Sequence, residues 1–192
     1  GGPGRVANNQ PLRAGKGTVF EGGIRVPAAA RWPKGLPAGG QVEQLMTVMD
    51  LFPTILGALG LKSGAKKPLD GENMWREIVN NQARPRTPLF FAVKRNETDH
   101  RQYAIRKGDW KLVQEFEYDR NRFTCLFNLA EDPNEKNDLA AAKPDLVGEL
   151  AAEIQRWKAF HPAVEVNSSM TPHPGWIPPR DFAAAAAGYE GQ

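Results

Sequence analysis

The stretch QYAIRKGDWKLVQ, Gln102–Gln114, decides the fold of the second half of this 192-residue chain. Two short segments of mixed apolar and polar residues, 102–106 and 110–114, flank Lys107-Gly108-Asp109. Such segments on either side of a glycine-containing turn are typical of a β-hairpin. The sequence therefore predicts two antiparallel strands that are neighbours in one sheet.

The segments around this hairpin predict a small sheet covered by one helix. Leu89–Val93 is a dense apolar run, and residues 124–129 have the composition of another strand. A long helix is expected to begin at Pro144 and to end before Pro162, because apolar residues recur at helical spacing between them. The apolar face consists of Leu146, Val147, Leu150, Ala151, Ile154 and Trp157. An antiparallel sheet packed on such a helix can bury a core of its own.

The first half of the chain predicts a strand and a helix rather than a hairpin, so we expect an α/β fold. Residues 24–32 predict a short strand. Asp50 is expected to cap a helix with its side chain, because a carboxylate can accept from the free amides of a first turn. The apolar stripe of that helix is Leu51, Phe52, Ile55, Leu56 and Leu59. The expected regions are residues 1–85, a small sheet-and-helix subdomain over 86–162, and an extended tail over 163–192.

Composition excludes several classes of protein. The net charge is only +3 and no run of five basic residues occurs, so nothing favours a nucleic-acid partner. No apolar run reaches the roughly 18 residues that a membrane-spanning helix needs. The single cysteine, Cys125, excludes an intrachain disulfide and a cysteine-based zinc site. Its apolar surroundings predict a buried structural thiol.

The segment Gly15-Lys16-Gly17-Thr18 is the main candidate for chemistry. It is not a nucleotide-binding loop, because two positions depart from that motif. Residue 10 is Gln where the motif has Gly, and residue 17, directly after the lysine, is Gly where the motif has Ser or Thr. A lysine framed by glycines can still reach an anion, because the backbone can approach closely and the ammonium has three donors. The alternative is a surface lysine in a turn. Glu21 and Arg25 are expected to form an ion pair that braces the loop.

Several segments, taken together, resemble the sulfatase family, and more closely its arylsulfatase B-like members. Residues 8–13, 15–18 and 21–27 resemble the second sulfatase signature, and residues 49–54 resemble the Asp-x-x-Pro-Thr start of a family helix. Pro68-Leu69-Asp70-Gly71 with Trp75, the hairpin over 103–111, and the strand and turn over 126–139 follow in the family's order. The resemblance runs from Gly1 to about residue 160.

The resemblance implies a fold and a reaction. The fold is the C-terminal part of an alkaline-phosphatase-like sulfatase fold, with a small antiparallel sheet packed on a long helix. Sulfatases hydrolyse sulfate esters of small molecules or glycans, using a formylglycine made from a Cys/Ser-x-Pro/Ala-x-Arg motif and a calcium ion. The lysine of the second signature contacts the sulfate, and it matches Lys16, which becomes the expected catalytic and substrate-binding residue.

This chain also departs from the family pattern. It has no Cys/Ser-x-Pro/Ala-x-Arg motif, and Cys125 is followed by Leu126, Phe127 and Asn128. The family's Asp-Asn calcium pair is expected just before Gly1-Gly2, so no metal ligand is assigned to this chain. We expect the chain to need an N-terminal catalytic portion as its partner and to be inactive alone. The resemblance implies a periplasmic, extracellular or lysosomal location.

Two alternatives to a sulfatase stay open at the level of sequence. One is a phosphohydrolase or phosphonate hydrolase of the alkaline phosphatase superfamily, which an unmodified Thr or Ser nucleophile upstream would favour. The other is a stand-alone binding or structural module without catalytic activity, derived from a sulfatase tail. A cooperative thermal transition of the isolated chain would favour the module.

Overall fold

A four-stranded antiparallel sheet dominates residues 8–95, 100–117 and 120–160, which are the residues that the computed structural model describes. The strands follow one another as a meander: β1 Leu89–Arg95, β2 His100–Lys107, β3 Trp110–Glu117 and β4 Arg120–Asn128. The predicted hairpin is confirmed, with Gly108 and Asp109 as its turn. Gly108 has a φ of +59°, which glycine adopts without the steric cost of a side chain.

One face of the sheet packs against the long helix α4, Pro144–Lys158. Ile105, Leu112 and Leu126 form a buried cluster there with the helix residues Leu150 and Ile154. The helix begins at Pro144, where the missing amide donor costs little because it would be unpaired in any case. The predicted helix and its apolar face are therefore confirmed.

The other face of the sheet packs against the N-terminal part of the chain. Ala104, Val113 and Phe127 are buried in one cluster with Val19 and Phe20. A single helical turn, α1, follows at once over Glu21–Ile24. Two structural layers on opposite faces explain why β3 is buried on both sides along residues 111–114. The sheet thereby fixes where the segment just after Lys16 lies.

The strand predicted over residues 24–32 is wrong. Ile24 ends α1, and residues 25–32 have no regular secondary structure. A strand needs a neighbouring strand to pair its amides and carbonyls. The four strands of the described residues pair with one another in sequence order, and none of them pairs with this segment.

The helix predicted to start at Asp50 is confirmed, but the side-chain cap predicted for that helix is wrong. Asp50 is the last residue of a short 3₁₀ helix, Val48–Asp50, that leads into helix α2, Leu51–Ala58, and it makes no capping bond to α2. Its buried carboxylate instead accepts hydrogen bonds from the backbone amides of Thr47 at 2.6 Å and Glu72 at 2.8 Å. The guanidinium of Arg86 completes this set of donors. The charge that Asp50 carries is therefore satisfied partly by the capping box of its own 3₁₀ helix, through Thr47, and partly by the tertiary partners Glu72 and Arg86.

The apolar residues predicted for α2 lie along one side of the helix, but they do not belong to either buried cluster. Leu51, Phe52, Ile55 and Leu59 are 50%, 54%, 56% and 56% exposed. Pro53 and Thr54, on the other side of the helix, are its buried residues. A third helix, α3, follows over Trp75–Asn80. Exposed apolar side chains in such a row favour association with the apolar surface of another protein molecule.

Two expectations are not tested by these residues. The tail expected over 163–192 lies outside the described part of the chain. The boundary expected between residues 85 and 86 stays a prediction, although Val19 and Phe20 share a core with the sheet. Of the helices within the described ranges, none has the length and apolar character required to cross a bilayer.

Candidate functional site

Lys16 lies in a tight turn on the surface. Gly17 has a φ of +87°, a conformation that a residue with a side chain would adopt only under strain. The hydroxyl of Thr18 donates to the carbonyl oxygen of Gly15 at 2.9 Å and closes the turn. The side chain of Lys16 is exposed and forms no ion pair or hydrogen bond within residues 8–95, 100–117 and 120–160. The turn therefore presents a cation whose donors are available to a ligand.

Two glycines of α1 hold this turn by close packing of backbone on backbone. The amide of Gly22 donates to the carbonyl oxygen of Arg13 at 2.8 Å, and a Cβ at Gly22 would lie 2.4 Å from that same oxygen. A Cβ at Gly23 would lie 2.2 Å from the carbonyl oxygen of Thr18 and 2.7 Å from that of Gly15. These separations are shorter than a Cβ atom can approach a non-bonded oxygen, so α1 can support the Lys16 turn only with glycine at both positions.

A buried group of three charged residues fixes α1 to the sheet, and we refer to Glu21, Lys111 and Glu135 as the buried triad. The ammonium of Lys111 lies 2.8 Å from a carboxylate oxygen of Glu21 and 2.8 Å from one of Glu135. The three side chains are 3%, 0% and 0% exposed, in the order Glu21, Lys111, Glu135. The other carboxylate oxygen of Glu135 accepts from the backbone amide of Glu21 at 2.7 Å.

The charges of the triad are not fully balanced within it. Two carboxylates face one ammonium, and the guanidinium of Arg106 lies 3.8 Å from Glu21 as a second, more distant cation. Burial raises the pKa of the Glu135 carboxyl, and the charge of Glu21 acts in the same direction. The attraction of Lys111 and the hydrogen bond from the Glu21 amide oppose this shift without reversing it.

The ion pair predicted between Glu21 and Arg25 is wrong. The carboxylate of Glu21 pairs with Lys111 and Arg106, while Arg25 is exposed and donates its backbone amide to the Glu21 carbonyl at 2.8 Å. Sequence reasoning missed Lys111 because the two residues are 90 positions apart. The sequence did contain a signal, because Lys111 and Val113 are two positions apart and therefore lie on the same face of the predicted strand.

A polar groove borders the segment that leads into the Lys16 turn. Its volume is about 590 Å³, and residues 8–14 and 134–136 line it. Amide side chains come from Asn8, Asn9, Gln10 and Asn134. Arg13 is held in place beside it, since its guanidinium donates to the carbonyl oxygen of Glu135 at 2.8 Å and lies 4.3 Å from the centre of the Phe20 ring. Such a wall offers both donors and acceptors to a hydroxylated ligand.

The described residues do not provide a calcium site. No group of three or more His, Cys, Asp or Glu side chains is arranged to hold a metal ion in the part of the chain described. Glu21 and Glu135 are two carboxylates close together, but the ammonium of Lys111 already lies between them. The residues present therefore do not fit the ion, and no chemical step is assigned to it.

The thiol of Cys125 is unsuited to nucleophilic chemistry at neutral pH. It lies on β4 and is half-buried rather than fully buried as expected. Burial raises its pKa to about 11, and a hydrogen bond with Asp138 adds to the shift. Because the thiolate is the reactive form, a thiol with this pKa is almost entirely protonated and unreactive near pH 7.

Comparison with known proteins decides the family. The family model described as N-sulphoglucosamine sulphohydrolase, C-terminal, matches residues 15–159. The chain belongs to the sulfatase family. This sulfatase segment is 35% identical over 163 residues to arylsulfatase A of Bos taurus, covering 74% of this chain and 30% of that protein. It is 39% identical over 89 residues to N-acetylgalactosamine-6-sulfatase of Canis lupus familiaris, covering 46% of this chain and 17% of that protein.

Solved structures support the same assignment. The sulfatase segment matches the crystal structure of Ps i-CgsB with a TM-score of 0.67 and 34% sequence identity, over 79% of this chain and 32% of that one. A second structure of that protein is a complex with k-i-k-neocarrahexaose. The fold is thus the C-terminal part of an alkaline-phosphatase-like sulfatase fold, in which a small antiparallel sheet packs on a long helix. The chain spans about a third or less of the relatives it matches.

Proposed function

We propose that this chain supplies Lys16 to the substrate site of an enzyme that hydrolyses sulfate esters. The observation that carries the proposal is an exposed lysine without a partner among the described residues, on a turn that α1 and the buried triad hold in place. Membership of the sulfatase family supplies the reaction class. The matched relatives are named as sulfatases, which favours sulfate over the phosphate or phosphonate esters of related hydrolases.

The chemistry of Lys16 follows from its charge and its donors. A sulfate ester carries one negative charge on its non-bridging oxygens, and an ammonium can donate three hydrogen bonds to them. Two unit charges about 4 Å apart attract by roughly 4 kcal/mol at an effective dielectric constant near 20. Because the turn is already fixed, the cation stabilises the transition state without reorganising as charge develops.

The nucleophile and the metal of the complete enzyme would come from an N-terminal catalytic portion. The 192 residues contain no Cys/Ser-x-Pro/Ala-x-Arg motif from which a formylglycine is made, and the thiol of Cys125 is held in its protonated form. We therefore treat the catalytic portion as the obligate partner of this chain. The family resemblance favours a setting outside the cytosol for the complete enzyme, either periplasmic, extracellular or lysosomal.

A sulfated carbohydrate is the substrate class that we favour. One relative is named an N-acetylgalactosamine-6-sulfatase, and Ps i-CgsB was crystallised with an oligosaccharide. In this chain the groove beside the Lys16 turn is lined with amide side chains and Arg13, which suit sugar hydroxyls and an additional anionic group.

The test is to express the coding region together with the sequence upstream of Gly1 and to assay an aryl sulfate, a sulfated disaccharide and an aryl phosphate. We expect turnover of both sulfate esters, with the disaccharide preferred, and no comparable turnover of the phosphate. The 192-residue chain alone should turn over none of them. Preference for the aryl phosphate would replace the proposal by a phosphohydrolase. An extended protein that contains the formylglycine motif and turns over none of the three substrates would favour a non-catalytic module.

A further inference from the structure

We propose that Lys111 is a positioning residue that fixes the Lys16 turn against the sheet. Lys111 is fully buried on β3, where its neighbours across the sheet are Arg106 and Phe127. It has no contact with solvent and none with Lys16, so it acts through Glu21. Its link to sulfate binding rests on the proposed function of Lys16, whereas its effect on the turn does not.

A continuous set of contacts connects Lys111 to the turn. Lys111 holds the carboxylate of Glu21, the first residue of α1, and the amide of Glu21 donates to Glu135. The next residue, Gly22, donates its amide to Arg13 on the segment before Lys16. Gly23 lies directly against the backbone of Gly15 and Thr18 on both sides of Lys16. A displacement of Glu21 therefore displaces the surface on which the turn is packed.

Local interactions do not replace this connection. Helix α1 is only four residues long and has no side-chain cap at its N-terminus. A single helical turn is unstable by itself, since nucleation fixes several residues for one hydrogen bond. Phe20 packs in the sheet cluster just before α1 and its carbonyl oxygen accepts from the amides of Gly23 and Ile24, but it orients neither the side chain nor the amide of Glu21. The triad fixes that orientation through directed bonds to both the side chain and the amide of Glu21.

Stability alone does not account for a buried triad. Replacing a buried ionic group by neutral residues of similar volume is often neutral or stabilising, while removing one partner is strongly destabilising. This difference separates a positioning role from a purely structural one. A fully neutral triad should keep the fold and still lose the directed, charged bonds that orient α1.

The experiment is nuclear magnetic resonance with amide hydrogen exchange on the 192-residue chain. The deciding variant carries Glu21→Gln, Lys111→Met and Glu135→Gln together. We expect its melting temperature to stay within a few degrees of the parent. The amides of residues 21–23 should exchange roughly tenfold to a hundredfold faster, the factor for losing a hydrogen bond to a charged group. Cross-peaks of residues 15–18 should move, while exchange at Leu112 and Val113 stays unchanged.

Matched variants complete the design. Lys107→Met removes a lysine of the neighbouring strand that pairs with Glu149 and Glu153 at the surface, and it should alter neither the exchange of residues 21–23 nor the cross-peaks of residues 15–18. If the triple variant does not fold, Glu21→Gln alone decides, since it removes the carboxylate charge that Lys111 holds and leaves the Lys111–Glu135 pair in place. We then expect at least about tenfold faster exchange at residues 21–23. The proposal would be overturned if amide exchange at residues 21–23 were unchanged in the triple variant or, where that variant does not fold, in the single variant.

The failure of this proposal can be told apart from failure of the proposed function. The exchange and cross-peak measurements need neither substrate nor catalytic portion. If they succeed and replacement of Lys16 has no effect on catalysis, Lys111 positions a turn that has another use. If they fail and Lys16 is essential, the turn is held by its own glycines.

Discussion

The ammonium of Lys111 donates to a carboxylate oxygen of Glu21 at 2.8 Å, and 90 sequence positions separate the two residues. This bond joins the central sheet to the single helical turn that supports Lys16. Glu135 shares the same ammonium, so one lysine of β3 links two segments that are far apart in the sequence. The candidate site is therefore built on the sheet rather than on the loop that carries its lysine.

The buried carboxyl of Glu135 should make stability fall as pH rises. Its pKa lies above the ordinary value of 4.5, so above that value the folded chain binds more protons than the unfolded chain. The free energy of unfolding then decreases with pH until the raised pKa has been passed. We expect Glu135→Gln to remove this decrease in urea titrations at a series of pH values from about 5 upward. The same slope in Glu135→Gln and in the exposed control Glu131→Gln would show that another group titrates.

Asp50 should contribute to stability with the opposite dependence on pH. Burial alone would raise its pKa, but hydrogen bonds from Arg86, Glu72 and Thr47 outweigh burial and lower it below 3.8. Its contribution is thus complete above pH 3.8 and is lost as the pH falls through the lowered pKa. We expect Asp50→Asn to cost about 3–5 kcal/mol at pH 7, because it removes the nearer charge partner of the buried Arg86 guanidinium and leaves it the Glu72 carboxylate at 3.8 Å.

Denaturant unfolding at neutral and acidic pH checks the prediction for Asp50. The exposed Asp70 provides the matched control, and Asp70→Asn should change the free energy of unfolding by no more than about 0.5 kcal/mol. A loss in Asp50→Asn as small as in this control would mean that the buried ion pair with Arg86 does not form.

Two isoleucines on different helices should respond very differently to truncation. Ile154 on α4 is fully buried against the sheet, whereas Ile55 on α2 is 56% exposed. Ile154→Ala should cost about 2–5 kcal/mol, the range for a large-to-small change in a core. Ile55→Ala should leave the free energy of unfolding within about 0.5 kcal/mol. Equal costs in denaturant unfolding would place the stripe of α2 inside the core.

The exposed stripe of α2 should also drive self-association of the isolated chain. Apolar side chains with this exposure lower their free energy by covering one another. Phe52→Glu together with Ile55→Glu should reduce the average mass in sedimentation velocity experiments toward that of a 21.2 kDa monomer. A parent chain that is already monomeric at high concentration would refute this expectation.

Cys125 should react slowly with thiol reagents in the folded chain. Its pKa of about 11, against an ordinary 9.0, lowers the thiolate fraction near pH 8. The difference corresponds to a rate roughly a hundredfold below that of the same thiol in the denatured chain. Alkylation by iodoacetamide, with and without denaturant, measures this ratio. A folded-state rate close to the denatured one would contradict the environment described for β4.

Regular elements with local patterns could be predicted from the sequence. The hairpin around Gly108 depends on a turn residue and two short flanking segments, and all of these lie within a dozen positions. Helix α4 depends on helical spacing and on a proline at its first position. In both cases the residues that decide the structure are neighbours in the sequence, so no tertiary information is needed.

Two of the errors involve charged residues whose partners are distant in the sequence. Asp50 was expected to cap a helix, but Arg86 lies 36 positions further along and provides a stronger donor. Glu21 was expected to pair with Arg25 four positions away, and Lys111 binds it instead. A charged side chain takes the partner that burial offers, and burial depends on the whole fold. For Lys16 the sequence identified the residue but not what holds it.

Replacement of Lys16 in the complete enzyme tests the account most directly. With an aryl sulfate as substrate, Lys16→Ala should lower kcat/KM by about 10²-fold or more, the scale of losing one preorganised charge-stabilising donor. Lys34→Ala, at another exposed lysine, should leave kcat/KM unchanged, and both variants should melt with the parent. A kcat/KM for Lys16→Ala equal to that of the parent would contradict the assignment of Lys16 to the sulfate site.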